Sequence, residues 1–351
     1  MARRLRLEIP PCWLENHGTV VTGIESKDQT LPGRPSSGAT PFITVAICTR
    51  NRAGFLEKAV QSVISQIVSA CEILIVDNAS TDNTPQLAAG FATAYPQVTV
   101  LREPELGLSV ARNTALARAR GKYVVFLDDD AEAGPGWLDA YKDFFSSPPV
   151  SNIACAGGAV FSRHETTPPA WLRPGSDVLD LGGHSRRFQA PAGPWGCNFA
   201  LHREVALELG GFDVSLGRKG KSLAAHEESD LIERIWQAGH EVWWLPAARI
   251  RHFVSAERLR LGWQLRSQYN QGRSSAAIQL RTAAARSRMR GFLFGRLLVA
   301  PVHLTLNILL ALVSLPFRNG QIAAHALLRC ARIAGFSRRL LSEMFQSFAA
   351  K

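Results

Sequence analysis

The sequence predicts an α/β fold built on a mostly parallel central sheet, followed by a helical carboxyl-terminal segment. Three observations lead to this prediction. Apolar strand-like runs alternate with segments of helical spacing between residues 42 and 255, as in parallel sheets with right-handed crossovers. Several of the strand-like runs end in polar side chains. The last hundred residues instead combine a long apolar run with an excess of arginine.

The elements follow one another regularly. β-branched and aromatic runs predict strands over 42–48, 71–76, 98–101 and 123–127. Apolar positions at helical spacing predict helices over 53–66, 84–95 and 109–120, with Ser109 capping the last. Residues 131–200 are predicted to be irregular, because Gly and Pro clusters interrupt them. A helix over 227–238 and a strand over 241–245 follow.

Composition divides the chain into three parts. Residues 1–40 are predicted to form a flexible tail, since 25–41 is rich in Ser, Thr, Gly and Pro and offers little to bury. Residues 41–255 form the α/β domain. Residues 256–351 form a basic, apolar, helical region that we expect to associate with a membrane.

The positive charge is concentrated at the carboxyl end. From Arg249 onward 17 Lys and Arg residues stand against only Glu257 and Glu343, so this part carries +15 and the rest −4 of a net +11. No recognised nucleic-acid motif accompanies the charge, so we expect no nucleic-acid partner. An anionic membrane surface is the expected partner.

The cysteines indicate a reducing setting. The six cysteines form no C-x-x-C pair and no regular framework. Cys48 and Cys71 lie in apolar strand-like runs, as free buried thiols usually do. The amino terminus shows no apolar segment of the signal-peptide type. We therefore expect a cytoplasmic environment.

Asp128, Asp129 and Asp130 directly follow the buried strand predicted over 123–127. Three adjacent carboxylates repel one another unless a cation lies between them. Oxygen ligands suit Mg²⁺ or Mn²⁺, and open α/β sheets bind ligands at the carboxyl ends of their strands. The triplet therefore predicts a metal site, with a solvated acidic turn as the alternative.

Polar side chains at other strand ends are expected to converge on the triplet. Thr49 and Arg52 follow the first strand, and Asp77 follows the second. Asp77 is suited to accept hydrogen bonds from a base or ribose, and equally to cap a turn. Arg112, early in the 109–120 helix, is placed to meet a diphosphate or to form a surface salt bridge.

Short motifs in a fixed order make the chain resemble the family 2 glycosyltransferases over about residues 41–255. The motifs are Val45-Ala-Ile-Cys-Thr-Arg-Asn-Arg, Ile75-Val-Asp-Asn-Ala-Ser-Thr-Asp, Gly107-Leu-Ser-Val-Ala-Arg-Asn, Phe126-Leu-Asp-Asp-Asp, Trp195-Gly-Cys-Asn-Phe, Gly210-Gly-Phe-Asp, His226-Glu-Glu-Ser-Asp-Leu and the final His252. The resemblance implies a GT-A fold and an inverting transfer from a nucleotide-diphosphate sugar.

The resemblance also implies residue roles. Thr49, Arg52 and Asp77 would hold the nucleoside. Asp128 and Asp130 would form the D-x-D pair, with Asp130 on a Mn²⁺ or Mg²⁺ ion and Asp128 on the ribose. The donor-binding set predicted from strand ends and resemblance together is Thr49, Arg52, Asp77, Arg112, Asp128 and Asp129.

The predicted base departs from the family pattern. The usual motif is Glu-Asp followed by x-Asp-Leu, and its first Asp serves as base; here that position is Glu228. Asp230 is the second candidate, although an acid at a helix start also favours the positive end of the dipole. His252 is either a metal or diphosphate contact or a packed residue beside Phe253.

The predicted function is transfer of a sugar to a glycan or lipid-linked acceptor. Two alternatives are a nucleotide-sugar-binding membrane module without turnover and a sugar nucleotidyltransferase. The second is disfavoured because no Gly-x-Gly loop occurs near 42–52. An oxidoreductase is disfavoured because no Gly-x-Gly-x-x-Gly follows a strand.

Two further features bear on the predicted ligands. The Gly- and Lys-rich loop 217–222 would close over the diphosphate or lie on the surface as a plain loop. Trp171 and Trp195 would offer flat faces to a sugar acceptor or pack in the core.

The carboxyl-terminal region contains 21 uncharged residues, 297–317, bracketed by Arg296 and Arg318. A run of this length fits a bilayer span, an in-plane or re-entrant segment, or a buried helix. Residues 322–336, with Arg329 and Arg332 at helical spacing, are typical of a helix lying in the membrane interface. We expect attachment to the cytoplasmic face of the membrane.

Overall fold

The computed structural model describes residues 41–66, 71–220, 222–285, 289–314 and 320–349. The tail predicted over 1–40 lies outside these residues. The strands are β1 (Ile43–Thr49), β2 (Cys71–Asp77), β3 (Val98–Arg102), β4 (Tyr123–Leu127), β5 (Ala131–Ala133), β6 (Ile153–His164), β7 (Arg186–Arg187), β8 (Asn198–His202) and β9 (Glu241–Val254). The helices are α1 (Ala53–Ile64), α2 (Thr84–Ala94), α3 (Leu108–Arg118), α4 (Trp137–Ser146), α5 (Arg203–Glu208), α6 (Glu227–Gln237), α7 (Leu261–Ala285), α8 (Met289–Ser314) and α9 (Gly320–Ala349).

One mixed sheet organises residues 41–254. Its strand order is β3-β2-β1-β4-β8-β6-β9-β5, and β7 pairs with β9 outside this path. The first four strands are parallel, as the alternating pattern predicts. β8 runs antiparallel to both β4 and β6. β6 and β9 are parallel to each other, whereas β5 and β7 run antiparallel to β9. The prediction of a mostly parallel sheet is therefore correct for the first half, and the second half is mixed.

Helices cover both faces of this sheet. One apolar cluster joins α1, α2 and α4 to the sheet through side chains such as Leu56, Phe91 and Tyr141. A second cluster joins α3, α5 and α6 to the other face through Leu116, Ala206 and Ile235. The parallel strands between them are buried on both sides, which explains their unbroken apolar sequence.

The prediction that 131–200 is irregular is wrong for much of its length, because β5, α4, β6 and part of β8 lie there. Two glycines in β6 hide the strand pattern. A Cβ on Gly157 would lie 2.1 Å from Cβ of Pro194, and one on Gly158 would lie 1.8 Å from the backbone oxygen of Ala248. The strand needs glycine at these positions because neighbouring chain passes so close.

Two predicted boundaries also differ. Helix α3 begins after Gly107, and Ser109 does not cap it. Instead the Ser109 hydroxyl donates a hydrogen bond to the Leu216 carbonyl at 2.8 Å. Strand β9 extends to Val254, well past the predicted end at 245, and so carries His252 within the sheet.

The five cysteines in the described residues are free thiols, while Cys12 lies outside them. Cys48 and Cys71 are only half-buried, although both belong to predicted strands as expected.

The carboxyl-terminal region folds into three long helices. Helices α7 and α9 come closest together at a glycine on each helix. A Cβ on Gly272 would lie 2.0 Å from the Arg332 carbonyl oxygen, and a Cβ on Gly335 would lie 1.9 Å from the Tyr269 carbonyl oxygen. Helix α8 contains most of the uncharged run 297–317. Among the described helices, none has both the length and the apolar character that crossing a bilayer requires.

Candidate active site

The ends of β1, β2 and β4 bring together the polar residues that the sequence singles out. Thr49 and Asp77 are register partners in the parallel pair β1–β2. The Thr49 hydroxyl donates a hydrogen bond to Asp129 at 2.8 Å, across 80 positions of sequence. A cavity of about 400 Å³ opens at this edge of the sheet. Its lining includes Thr49, Arg52, Arg112, Asp128, Asp129, Asp130, Arg218, Glu227, Glu228, His252 and Arg258.

The three aspartates have different surroundings. The side chain of Asp128 is 33% exposed and faces the cavity, whereas those of Asp129 and Asp130 are buried. Asp129 accepts hydrogen bonds from Thr49 and from Arg52 at 3.0 Å. Burial raises the pKa of the Asp129 carboxyl to about 6. The charge of Arg52 lowers this pKa, but by less than burial raises it. Asp129 therefore serves mainly to position Thr49 and Arg52.

Two arginines and a histidine surround the carboxylate of Asp130. Its carboxylate lies 2.7 Å from Arg52, 3.0 Å from Arg258 and 3.1 Å from Nε2 of His252. Burial opposes its ionisation, but the hydrogen bond and charge of His252 and the charges of Arg258 and Arg52 lower its pKa well below the usual value. Asp130 is thus held as an anion.

Asp128, Asp130 and His252 fit a divalent cation. Each offers one ligand atom, and these atoms all lie within 4.8 Å of one another. Two carboxylate oxygens and an imidazole nitrogen suit Mn²⁺ well and leave positions for water and phosphate oxygens. His252 reaches the site because β9 pairs with β5 directly after the triplet, in the register Ala131 to His252. His252 is therefore a residue of the sheet whose Nε2 atom lies 3.1 Å from the Asp130 carboxylate.

Asp77 takes the turn role that was one of its two expected roles, and it is not among the residues that line the cavity. One carboxylate oxygen accepts a hydrogen bond from the Ser80 backbone at 3.2 Å, as in a turn. The other oxygen is buried and has no hydrogen-bond partner within the described chain. A buried acceptor without a partner is costly. The second oxygen is therefore suited to accept a hydrogen bond from a ligand.

Arg112 is not a surface residue, so the surface salt-bridge alternative is wrong. Its side chain is only 2% exposed. The guanidinium donates to Glu227 at 2.8 Å, to Asp128 at 3.1 Å and to the Gly196 carbonyl at 2.6 Å. It also lies over three aromatic rings, those of Phe126, Phe199 and Phe212.

Arg112 therefore joins the triplet to helix α6. A diphosphate contact would compete with the partners it already has. Its position at the cavity wall keeps it next to Asp128, and it fixes where that carboxylate lies.

The two candidate bases lie in different places. Glu228 lines the cavity, with its carboxylate against Gly196. Asp230 lies on another side of α6, where it accepts hydrogen bonds from Arg234 and Arg281, each at 2.8 Å. Asp230 is therefore not brought to the triplet. Its ion pairs fasten α6 to α7.

Glu227 is a site residue that sequence reasoning missed. It is buried against Arg112, and burial together with the neighbouring Glu228 charge raises its pKa to about 7. The preceding His226 has a positive φ of 75°, which is uncommon for a residue with a side chain. This conformation turns the chain into α6 and aims two successive carboxylates at the cavity. The adjacent acidic residues Glu227 and Glu228 are the feature of the sequence that could have identified Glu227 as a site residue.

The loop that begins at Gly217 reaches the cavity through Arg218, Gly220 and Ser222. Lys221 lies outside the described residues. Burial and the charge of Arg258 lower the pKa of Arg218. Within the described chain no carboxylate forms an ion pair with it. The loop therefore adds positive charge to the cavity instead of lying apart as a plain surface loop.

Arg258 was also missed by sequence reasoning. It follows β9 in a stretch without a recognisable motif, and only folding brings it to Asp130. Trp195 is 36% exposed and Trp171 is half-buried, so neither packs fully in the core.

Comparison with known proteins agrees with this geometry. The family model for glycosyl transferase family 2 matches residues 44–210. A glucosyl-dolichyl phosphate glucuronosyltransferase of Haloferax volcanii is 26% identical over 276 residues, covering 76% of this chain and 86% of that protein. The succinoglycan biosynthesis protein ExoM of Rhizobium meliloti is 25% identical over 244 residues, covering 68% and 75%.

A solved structure shares the fold. The mannosyltransferase PcManGT from Pyrobaculum calidifontis, in complex with GDP-Man and Mn²⁺, superposes with a TM-score of 0.55 at 19% identity. The match covers 87% of this chain and 88% of that one. The expected GT-A fold is therefore confirmed.

Proposed function

We propose that the chain is a glycosyltransferase of family 2, the family whose model matches residues 44–210, and that it moves a sugar from a nucleotide-diphosphate sugar to a glycan or lipid-linked acceptor with inversion. One observation carries this proposal. Glu228, free of ion pairs to the described residues, shares a cavity with the Asp128, Asp130 and His252 cluster. A base and a metal-binding group thus face the same space.

The donor would lie along the strand ends. The unpartnered oxygen of Asp77 would accept a hydrogen bond from the nucleoside. Asp128, Asp130 and His252 would hold Mn²⁺ or Mg²⁺, which when bound offsets the charge of the departing diphosphate. Arg218 is the cation best placed for the phosphate oxygens, since it lines the cavity and has no carboxylate partner in the described chain.

Glu228 would take the proton from the acceptor hydroxyl. The hydroxyl oxygen then attacks the anomeric carbon while the bond from that carbon to the diphosphate oxygen breaks. A single in-line displacement of this kind inverts the anomeric centre. The base must be separate from the metal ligands, because a carboxylate bound to a cation is weakly basic. Glu228 satisfies this condition because it lies on α6 and does not belong to the cluster of Asp128, Asp130 and His252.

The acceptor would be presented at a membrane. A named relative acts on a dolichyl phosphate-linked glucose, and another belongs to succinoglycan biosynthesis. Helix α8 exposes large apolar side chains to solvent, and arginine dominates the last hundred residues. Both features favour attachment to an anionic membrane surface, with the active site on its cytoplasmic face.

Release of nucleoside diphosphate tests the proposal. Purified protein is mixed with UDP-, GDP- and dTDP-sugars and Mn²⁺, first in a thermal-shift screen, since a ligand of the folded state raises its stability. The donor that stabilises the protein is then assayed for turnover with acceptor extracts. Binding without release of nucleoside diphosphate under any of these conditions would favour the non-catalytic binding module.

Asp130→Asn is the decisive variant. It removes a charged metal ligand, so metal-dependent turnover should fall to background while the melting curve stays cooperative. Asp143→Asn is the matched control, because Asp143 is an exposed acid on α4. Full activity of Asp130→Asn would mean that the triplet is only a turn.

A further inference from the structure

Helices α8 and α9 enclose a second cavity of about 360 Å³, separate from the strand ends. It is lined by His303, Leu306, Asn307, Arg329, Arg332 and Ile333. Four of these side chains can donate hydrogen bonds and two are apolar. No carboxylate belongs to this lining. The surface of this open cavity is mostly apolar, and the four donor side chains contribute its smaller polar part.

The donors face one another across the helix pair. His303 and Asn307 are four residues apart on α8, and Arg329 and Arg332 are three apart on α9, so each pair lies on one face of its helix. The contact of the Cys330 thiol with the Leu304 carbonyl, at 3.9 Å, fixes the register between the two helices. Two arginines from α9 thus line the same cavity as an imidazole and an amide from α8, and the Asn307 amide also donates a hydrogen bond to the His303 carbonyl at 2.8 Å.

The arginines of this cavity lack a counter-charge. Within the described residues neither Arg329 nor Arg332 forms an ion pair. After Glu257 the sequence contains a single acidic side chain, Glu343, and that one pairs with Arg339 at 2.7 Å. Both arginines are exposed, so their guanidinium groups are available to an anion from another molecule.

An apolar surface borders the cavity. Five residues at helical spacing on α8 form a solvent-exposed stripe, each more than half exposed: Leu298, Val302, Leu306, Leu309 and Val313. Leu306 belongs to both the stripe and the cavity lining. A ligand with a phosphate head and a hydrocarbon tail would place its head on the donors and its tail beside the stripe.

We propose that the cavity between α8 and α9 binds the phosphate monoester headgroup of a membrane lipid. Arginine suits this role because its planar guanidinium binds phosphate oxygens in pairs. The continuity of donors with exposed apolar surface favours a lipid over a free phosphate ion. This inference rests on the membrane attachment in the proposed function and adds a site of defined chemistry to it.

The site is also connected to the catalytic carboxylates. The Arg332 backbone packs against Gly272 of α7. Helix α7 in turn contacts the segment before α6, through Ser274 with the Ala225 backbone and Ser275 with His226. His226 directly precedes Glu227 and Glu228. A lipid headgroup bound in this cavity would therefore contact α9, which packs on α7, and α7 in turn contacts the residues that precede the proposed base Glu228.

Vesicle co-sedimentation tests the proposal with the full-length protein. One set of phosphatidylcholine vesicles contains phosphatidic acid, a phosphate monoester, and the other contains phosphatidylglycerol, a diester, adjusted to equal surface potential. The wild type should bind the monoester vesicles at least about fivefold more tightly, the gain of one extra charged contact at the surface. Equal binding to both sets would overturn the proposal.

A double variant places the effect in the cavity. Arg329→Gln with Arg332→Gln should reduce the preference for monoester vesicles to about onefold. Arg273→Gln with Arg338→Gln removes the same charge from exposed residues outside the cavity. This control should bind both vesicle sets more weakly and keep the preference. Loss of the preference in the control to the same extent would refute the site.

Two further readouts separate the possible failures. If inorganic phosphate raises the melting temperature as much as short-chain phosphatidic acid does, the site binds the free ion and the lipid assignment is wrong. If wild-type protein binds neither vesicle set, the proposed membrane attachment fails together with this site. Donor-dependent release of nucleoside diphosphate, measured without vesicles, tests the glycosyltransferase proposal independently.

Discussion

Glu228 and Asp230 lie two residues apart, yet their surroundings assign them different tasks. Glu228 opens to the cavity, whereas Asp230 is held by Arg234 and Arg281. Glu228→Gln keeps the shape but cannot accept a proton. Since general-base assistance contributes about 10²–10⁴-fold, nucleoside diphosphate release should fall by that order while donor affinity changes little.

Asp230→Asn is the matched comparison for this prediction. It should lower the free energy of unfolding by about 2 kcal/mol, because two arginines lose a charged partner, and affect turnover per folded molecule less than Glu228→Gln does. Glu228→Asp should keep part of the activity, since the family pattern has Asp at that position. Near wild-type turnover of Glu228→Gln with collapse of Asp230→Asn would move the base to Asp230.

Glu227 predicts a pH dependence of stability. Burial raises its pKa to about 7 in the folded protein, above the ordinary 4.5 that the unfolded chain would show. As pH rises from about 4.5 to 7 the unfolded state releases its proton first, so the folded state loses stability across this window. The loss is at most about 3.5 kcal/mol, because a pKa difference of one corresponds to about 1.4 kcal/mol.

Denaturant titrations at several pH values check this. Glu227→Gln should gain stability relative to the wild type between about pH 4.5 and 7, while the control Glu208→Gln, at an exposed position, should not. A pH-independent difference between wild type and Glu227→Gln would contradict the raised pKa.

Sequence reasoning predicted which residues come together better than it predicted the contacts that each one makes. The strand-end rule brings Thr49, Asp77 and the triplet together, as the structure shows. The rule cannot predict how the surroundings of the three adjacent aspartates differ. Those surroundings depend on Arg258 and His252, which are distant in sequence and come near only in the folded chain. The surface alternative for Arg112 failed for the same reason, since Gly196 and Glu227 are 84 and 115 positions away in sequence and the aromatic rings that it covers belong to other elements.

At the scale of elements, prediction succeeded where periodicity was strong. The four parallel strands and their helices appear within one or two residues of their predicted bounds. β6 escaped notice because Gly157 and Gly158 remove the apolar signal at the point where the strand is most crowded. A strand is recognised in a sequence from its apolar side chains, and at positions 157 and 158 the close approach of neighbouring chain leaves no room for a side chain.

The crossing of α7 and α9 provides a test at this scale. Gly272→Ala would place a methyl group 2.0 Å from the Arg332 carbonyl oxygen, so the helices must separate. We expect a loss of about 1–3 kcal/mol in the free energy of unfolding, as for other overpacked sites. Gly262→Ala, on the same helix with open space around it, should instead stabilise by up to about 1 kcal/mol. Equal effects of the two substitutions in thermal or chemical unfolding would contradict the close packing.

On the scale of the whole molecule, charge and apolar surface are both unevenly distributed. The part of the chain from Arg249 carries +15, while the remainder is slightly negative. Removing α8 and α9 altogether would be an ambiguous test of membrane attachment, because Leu340 of α9 packs against Ala276 and Leu280 of α7. A truncated chain would expose this buried surface and could aggregate. Substitutions on the outer face of α8 avoid that difficulty.

The exposed stripe of α8 therefore gives the sharper prediction. Leu309→Gln with Val313→Gln replaces two side chains that are 51% and 60% exposed, so the folded state should lose little stability. Insertion of such side chains into a bilayer interface would contribute about 1.5–3 kcal/mol each if they become fully buried there. Binding to anionic vesicles should consequently weaken about tenfold or more in flotation assays. Leu207→Gln with Val214→Gln, at exposed apolar positions of the α/β domain, should leave vesicle binding unchanged. If both double variants float with vesicles as the wild type does, α8 is not the membrane-contacting surface, and the arginines alone must account for any attachment.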